Sequence, residues 1–415
     1  MKPIVYTQIE GNSAGFWMLL GILAAMIAAG FGASLYMEHH GHYVTGMNNQ
    51  IVWGMPHIFA VYLIVAASGA LNVASIASVF GKKAYKPLAP LSALLAIALL
   101  TGGLAVLVLD LGRPDRLIVA MTELNLKSIF AWNQLLYNGF FVIVGVYIWM
   151  MMEKKMNKYS RSAGIAAFVW RLILTTGTGS IFGFLVARQA YDAAIMAPLF
   201  IMMSFAAGMA IYLLVLMAAY NWTNRELGDA VLRRLKNLLA VFVSAVLYFV
   251  LVYHLTNLYA TEHHGIEAFI LLGRNGGSEY SQVFWWLQIL LGSVVPLAIL
   301  FTSLGKKRSM IALASALVVL GGLAQMYVII IGGQAYPLEI FPGMEVISSG
   351  FMDGVPASYS ASLAEIVLGL GMGIGVALIM VVIGIKALRF LPESLADKVV
   401  DPHYSSNEQP AEASA

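Results

Sequence analysis

Cysteine is absent from all 415 residues. Without a thiolate the chain can form no disulfide, ligate no iron–sulfur cluster, attach no haem through cysteine and build no cysteine zinc site of its own. Charge is scarce as well. Only 11% of the residues are Asp, Glu, Lys or Arg, against about a quarter in a soluble domain. With 60% hydrophobic residues, the chain is not built to face water on all sides, which excludes a soluble globular protein and implies one embedded in the lipid bilayer. The net charge of +3 is too small and too dispersed to suggest nucleic acid as a partner.

What is present is long apolar runs. Ten of them lie near residues 16–37, 54–79, 89–111, 129–152, 164–188, 197–221, 237–259, 283–304, 310–331 and 361–386. Each is long enough to cross roughly 30 Å of hydrocarbon at about 1.5 Å per helical residue. The expected fold is all-α: a polytopic integral membrane protein with about ten transmembrane helices and four-helix bundles at its core. Residues 1–400 form one domain, and the polar stretch 401–415 is expected to be a disordered tail. Lys2 is the only basic residue before the first run, which exceeds a signal-peptide core in length and is read as retained.

Basic residues set the orientation. Lys82, Lys83 and Lys86; Lys154, Lys155, Lys158 and Arg161; Arg225, Arg233, Arg234 and Lys236; Lys306, Lys307 and Arg308; and Lys386, Arg389 and Lys398 fall in every second connection. The opposite connections carry only Arg113, Arg116, Lys127, Arg188 and Arg274. Positive loops stay inside, so both termini are expected on the cytoplasmic side of the inner membrane.

Ionisable and polar side chains gather at one depth, near the outer ends of successive runs. His57 opens the second, Asp110 and Arg113 close the third, Asn133, Gln134, Tyr137 and Asn138 open the fourth, and Arg188 with Asp192 closes the fifth. Such residues are expensive at membrane depth and ordinarily face a cavity, a counter-charge or a ligand. Asp110 with Gly112, Arg113 and Pro114 is also an ordinary helix stop, and Arg188 and Asp192, four residues apart, suit a mutual pair. The convergence of a histidine, an acid, an amide cluster and a cation fits a redox ring that must exchange protons, since His and Asp relay protons near neutral pH and apolar walls suit a ring and tail. Counting 100° per residue from His57, Ser68, Asn72, Ser75 and Ser78 share its face, with Ser75 about 27 Å further along. That stripe serves either helix packing or a proton route.

Other features are less committed. Glu38-His39-His40-Gly41-His42 and Glu262-His263-His264-Gly265 follow the first and seventh runs; adjacent histidines rarely reach one metal ion unaided, and no metal is assigned to them. Only His57 and His254 lie within or at the ends of runs, a poor arrangement for a haem between helices. Gly369, Gly371, Gly373 and Gly375 suit close helix approach. The connection from Gly332 to Ser360, with Tyr336, Phe341, Phe351 and Tyr359, suits a docking surface.

The stretch Asp110-Leu111-Gly112-Arg113-Pro114-Asp115-Arg116, followed by a run opening with Trp132-Asn133, resembles the NrfD/polysulfide-reductase membrane-subunit family. Ten runs, the opening stretch to Gly11 and the Glu38–His42 loop look most like its DsrP branch, associated with dissimilatory sulfite reductase. The resemblance implies a quinone site, for menaquinone or ubiquinone, in the bundle of runs two to five. Asp110 and Arg113 carry over by motif; His57, Tyr137 and Asn133 are placed by helix position. His57 and Asp110 would handle protons, with Arg113 holding the acid ionised or touching a quinone oxygen. The implied chain carries no haem or iron–sulfur cluster and is a subunit, not a complete enzyme. Its implied partners are a periplasmic ferredoxin-like iron–sulfur subunit, a multihaem cytochrome c, a haem b membrane subunit and a cytoplasmic iron–sulfur subunit. The alternatives are a secondary transporter or ion-translocating subunit without redox role, and a plain membrane anchor.

Overall fold

The computed structural model describes residues 4–338 and 355–401. Backbone N–H and C=O groups left unpaired in hydrocarbon are costly, and a helix pairs all of them within one segment. The apolar runs accordingly form ten long helices: Ala14–His40, Met55–Ser78, Lys83–Leu109, Ile129–Met152, Asn157–Gly183, Met196–Trp222, Asp229–Tyr259, Ser278–Phe301, Arg308–Ala335 and Leu363–Ala387, called spans 1 to 10. The chain is an all-α, multi-pass integral membrane protein. Ser13 caps span 1 by accepting from the Phe16 N–H, and Ser362 with Glu365 forms a capping box on span 10.

Several boundaries differ from the sequence expectation, and two of the shifts move charged residues. The helix expected over 164–188 stops at Gly183, and 184–195 winds back in turns that carry Arg188 onto backbone carbonyls. Span 7 starts at Asp229, not near 237, because Leu232, Leu235 and Leu239 continue its buried face past Arg233, Arg234 and Lys236. Asp229 suits the positive N-terminal end of that helix.

Span 2 is the centre of the molecule: 94% of its most apolar window is buried, against 17% in spans 1 and 4. Spans 2 to 5 make one quartet and spans 6 to 9 a second. They meet where span 2 packs on spans 6 and 9, and span 5 on span 6. A Cβ on Gly69 would stand 1.5 Å from the Ser204 carbonyl oxygen, so spans 2 and 6 touch backbone to backbone there. Spans 1 and 10 pair with each other and lie against spans 2 and 3. The glycines of span 10 do serve this packing, since a Cβ on Gly371 would stand 2.2 Å from the Met26 carbonyl oxygen of span 1.

An even number of crossings returns both chain ends to one end of the bundle. There Tyr6–Thr7 pairs antiparallel with Leu391–Pro392, and Leu227 bridges Leu395. This is the lysine- and arginine-rich end, opposite His57. The tail expected to be disordered lies, from residue 402, outside the described residues, as does 339–354 of the expected docking connection.

Candidate functional site

Consecutive antiparallel helices bring the start of span 2 beside the end of span 3, and two ionisable side chains meet there. His57 lies in the first turn of span 2, behind Gly54 and Pro56. Asp110 caps span 3, its backbone N–H still bonded to the Val106 carbonyl. His57 Nδ1 stands 2.9 Å from Asp110 Oδ2, with the side chains 19% and 1% exposed. The approach is close but out of line with the ring N–H, so neither Asp110 oxygen receives a well-directed hydrogen bond. A buried carboxylate built only for stability would be saturated with donors. This one is left able to accept another.

The wall beside the pair is aromatic. The Trp53 ring stacks on His57 with centroids 6.0 Å apart, and Phe130 and Phe182 stand edge-on to Trp53 at 6.2 and 5.9 Å. Trp53 is held through its backbone. Gln334 of span 9 accepts from the Val52 and Trp53 N–H groups and donates to the Trp53 carbonyl. Gln50 donates to the carbonyls of Gln334 and Ala335. Deeper in the same loop, Glu365 accepts from the Gly46 N–H and the Tyr359 hydroxyl, which itself accepts from the Met55 N–H. The His57 end of span 2 is thus braced by spans 9 and 10, far away in sequence.

Arg188 belongs to this brace and is not paired with Asp192. Its guanidinium donates to the carbonyls of Gln334 and Gln50, each at 3.0 Å, while Asp192 is exposed. The pairing expected from helical spacing fails because the helix has already ended. Burial lowers the pKa of Arg188 from its ordinary value.

Of the two roles expected of Arg113, holding Asp110 ionised is not seen, because Arg113 does not reach that acid. Its guanidinium forks onto Asp115 with two hydrogen bonds of 3.1 Å, both side chains roughly two-thirds exposed at 64% and 62%. The turn Pro114–Arg116 puts that acid two residues away, nearer than a carboxylate already folded beneath the helix end. The contact holds the Asp115 pKa below its usual value.

Asn133, expected at the ligand, is 2% exposed and committed to span 5: it donates to the Gly177 carbonyl and accepts from Thr178. Tyr137 lies one turn on, its hydroxyl also beside Thr178. These two clamp spans 4 and 5 behind the aromatic wall.

The polar stripe of span 2 has an owner that the sequence reading passed over. Arg171, 2% exposed in mid-span 5, donates to the Ser68 carbonyl and to Asn72 Oδ1, with Phe168 and Phe205 rings 5.1 and 4.9 Å away. Thr175 donates to Ser68. The isolated arginine in a long apolar run was the available signal. At Ser68 and Asn72 the stripe is a cradle for a cation.

Among the described residues no three His, Cys, Asp or Glu side chains converge on a metal position. In the histidine loops, His40 and His264 contact the Tyr36 and Leu258 carbonyls. His42 lies beside Gly112, its Nε2 buried and unpartnered.

Comparison with known proteins turns on the same region. Residues 43–337 match the family described as polysulphide reductase, NrfD. The chain is 31% identical over 402 residues to the Hdr-like menaquinol oxidoreductase integral membrane subunit of Archaeoglobus fulgidus, covering 96% of this chain and 99% of that one. It is 23% identical over 353 residues to a selenate reductase subunit of Mesobacillus selenatarsenatis, covering 75% and 80% respectively.

Proposed function

Because the chain belongs to the polysulphide reductase NrfD family, we propose that it is the quinone-reacting membrane subunit of a multi-subunit redox complex, with the His57–Asp110 pair as its proton-handling centre. The observation that carries this reading is the buried, donor-poor carboxylate of Asp110 held 2.9 Å from His57 against Trp53. With Nδ1 of His57 facing the Asp110 carboxylate, the tautomer protonated on Nδ1 leaves Nε2 as an acceptor. A quinol hydroxyl donating to Nε2 can then lose its proton to the imidazole, whose new charge the carboxylate stabilises. Trp53 and Phe130 offer the ring a face. The relatives are named as a menaquinol oxidoreductase subunit and a selenate reductase subunit, which supports a redox role over transport.

The chain has no cysteine to ligate an iron–sulfur cluster, so on this reading the electrons pass to or from a bound iron–sulfur subunit. The finer reading places the complex in dissimilatory sulfur metabolism, with a periplasmic ferredoxin-like subunit and a multihaem cytochrome c on the His57 side. The haem b subunit and cytoplasmic iron–sulfur subunit then belong to the assembly on the side of the chain termini.

The test is binding. Titrating the assembled complex with menaquinone and ubiquinone analogues should quench Trp53 fluorescence, and the quench should vanish in Trp53→Phe. If the analogues neither quench nor turn over, the quinone reading is lost; the subunits that co-purify, and their cofactors, decide the sulfur assignment.

A further inference from the structure

A second histidine–carboxylate pair lies in the other quartet. His254 Nδ1 of span 7 stands 2.8 Å from Oε2 of Glu267, and Asn257 donates to Oε1 at 2.9 Å. Glu267, 2% exposed, is carried by the short helix His264–Leu272, which folds back over the end of span 7. Odd-numbered spans end where even-numbered spans begin, so the pair stands at the same end of the bundle as His57.

Two small cavities run inward from it. The first, about 40 Å³, is lined by His254, Glu267, Phe284, Gln288 and Gln325 among others. The second, about 30 Å³, shares Gln288 and Gln325 with it and reaches Tyr62 of span 2. From His254 on the first to Val243 on the second is about 16 Å along span 7. The second cavity therefore lies near the middle of a hydrocarbon layer about 30 Å thick. It also lies on the seam between the two quartets, where span 2 packs closely on spans 6 and 9 but hardly on span 8.

Consecutive glycines of span 9 shape this space. A Cβ on Gly321 would stand 2.2 Å from the Gly292 Cα of span 8, and one on Gly322 would stand 2.6 Å from the Tyr62 ring. The first glycine lets spans 8 and 9 touch backbone to backbone. The second seats the Tyr62 ring against span 9. Val283–Val294, which carries Gln288, and Val328–Gly332 are π-helical, a wider turn that recurs at functional positions.

Two polar atoms facing the second cavity are buried without a partner: the Tyr62 hydroxyl and Gln288 Oε1, on residues 3% and 5% exposed. They are complementary, since the phenol O–H donates and the amide oxygen accepts, yet they do not bond to each other. Stranded polar groups are costly among hydrocarbon, where nothing else can satisfy them. Water can, because it accepts from one group and donates to the other. A water needs about 10–15 Å³ and two to four polar partners, so each cavity has room for about two to four. No charged side chain lines the second cavity, so a bare ion would meet no counter-charge there. The ~150 Å³ that admits benzene far exceeds both cavities, which excludes a quinone ring.

We propose that the two cavities are a bound-water site, and that water accepting from the Tyr62 hydroxyl and donating to Gln288 Oε1 is the polar joint between the quartets. Spans 2 and 6 are joined by direct backbone contact at Gly69; spans 2 and 8 are joined through water. The waters are held in place, and no proton, ion or electron passes along them. The joint does not depend on the quinone reading, and neither measurement that tests it uses turnover.

Electron cryo-microscopy of the assembled complex, at a resolution that shows water, should place density within about 2.5–3.0 Å of both Tyr62 Oη and Gln288 Oε1. Thermal unfolding of the same complex in detergent reads the bridge itself. Tyr62→Phe and Gln288→Leu each remove one end and strand the other, so each should lower the midpoint by several degrees. The double variant removes both ends and should lose less than the two single losses added together. In a dry joint Tyr62→Phe would only delete a stranded hydroxyl, and the midpoint would hold or rise. Absent density, a Tyr62→Phe midpoint at or above the parental one, or additive losses each overturn the proposal.

Discussion

Asp110→Asn is the sharpest perturbation available at the site. Asparagine keeps the volume of a side chain that is 1% exposed, and its amide can still face His57 Nδ1, which lies 2.9 Å from the present carboxylate. What it removes is the negative charge that stabilises a protonated imidazole. Because no other donor satisfies Asp110, losing the anion strands no partner except His57, and folding should change little. A positioned acid–base group contributes about 10²–10⁴-fold, or ~3–5 kcal/mol of barrier at about 1.36 kcal/mol per tenfold. The assay is steady-state oxidation of a soluble quinol analogue by the assembled complex with an artificial acceptor, alongside thermal unfolding in detergent. The expected outcome is a kcat at least a hundredfold lower with KM and thermal midpoint near parental, the signature of a group that acts in the transition state. A parental kcat in a folded Asp110→Asn complex would refute the assignment of proton handling to this pair.

Three further outcomes are expected. Arg188→Met removes two charge-assisted hydrogen bonds to Gln50 and Gln334, worth up to about 1.5–3 kcal/mol each; the loop that carries Trp53 loosens, so the quinol KM should rise several-fold with kcat little changed, and an unchanged KM counts against the brace. Gly371→Val drives a side chain into the Met26 carbonyl, 2.2 Å from the added Cβ; overpacking of this kind costs about 1–3 kcal/mol or more, and a parental thermal midpoint would show that spans 1 and 10 do not pack as described. With no native cysteine to remove, Asp115→Cys should react with an impermeant maleimide only from the periplasmic side and Lys307→Cys only from the cytoplasmic side; the reverse pattern inverts the topology.

Some of the candidate site is legible in the chain. His57 and Asp110 stand at the facing ends of consecutive apolar runs, and antiparallel crossing alone brings such ends to one depth. Arg113, Asn133 and Arg188 share that depth, yet each is bound elsewhere: to Asp115, to Gly177 and Thr178, and to Gln50 and Gln334. Depth is a one-dimensional quantity read by counting residues. Contact also needs the rotation of each helix about its axis, and in a membrane both the lipid-facing and the protein-facing sides are apolar, so the pattern that reports rotation in a soluble helix is weak.

The sequence by itself determined the class of the molecule, its ten crossings, the alternation of basic loops and the family, because each follows from composition, run length or a local motif. Tertiary structure decided which polar groups meet. It gave Arg171 to Ser68 and Asn72, braced Trp53 with a glutamine nearly three hundred residues away, and paired His254 with Glu267 above two cavities. Those outcomes depend on helix azimuth, on backbone contact at Gly69 and Gly371, and on π-helical turns that shift register. They are fixed only when all the spans are packed together.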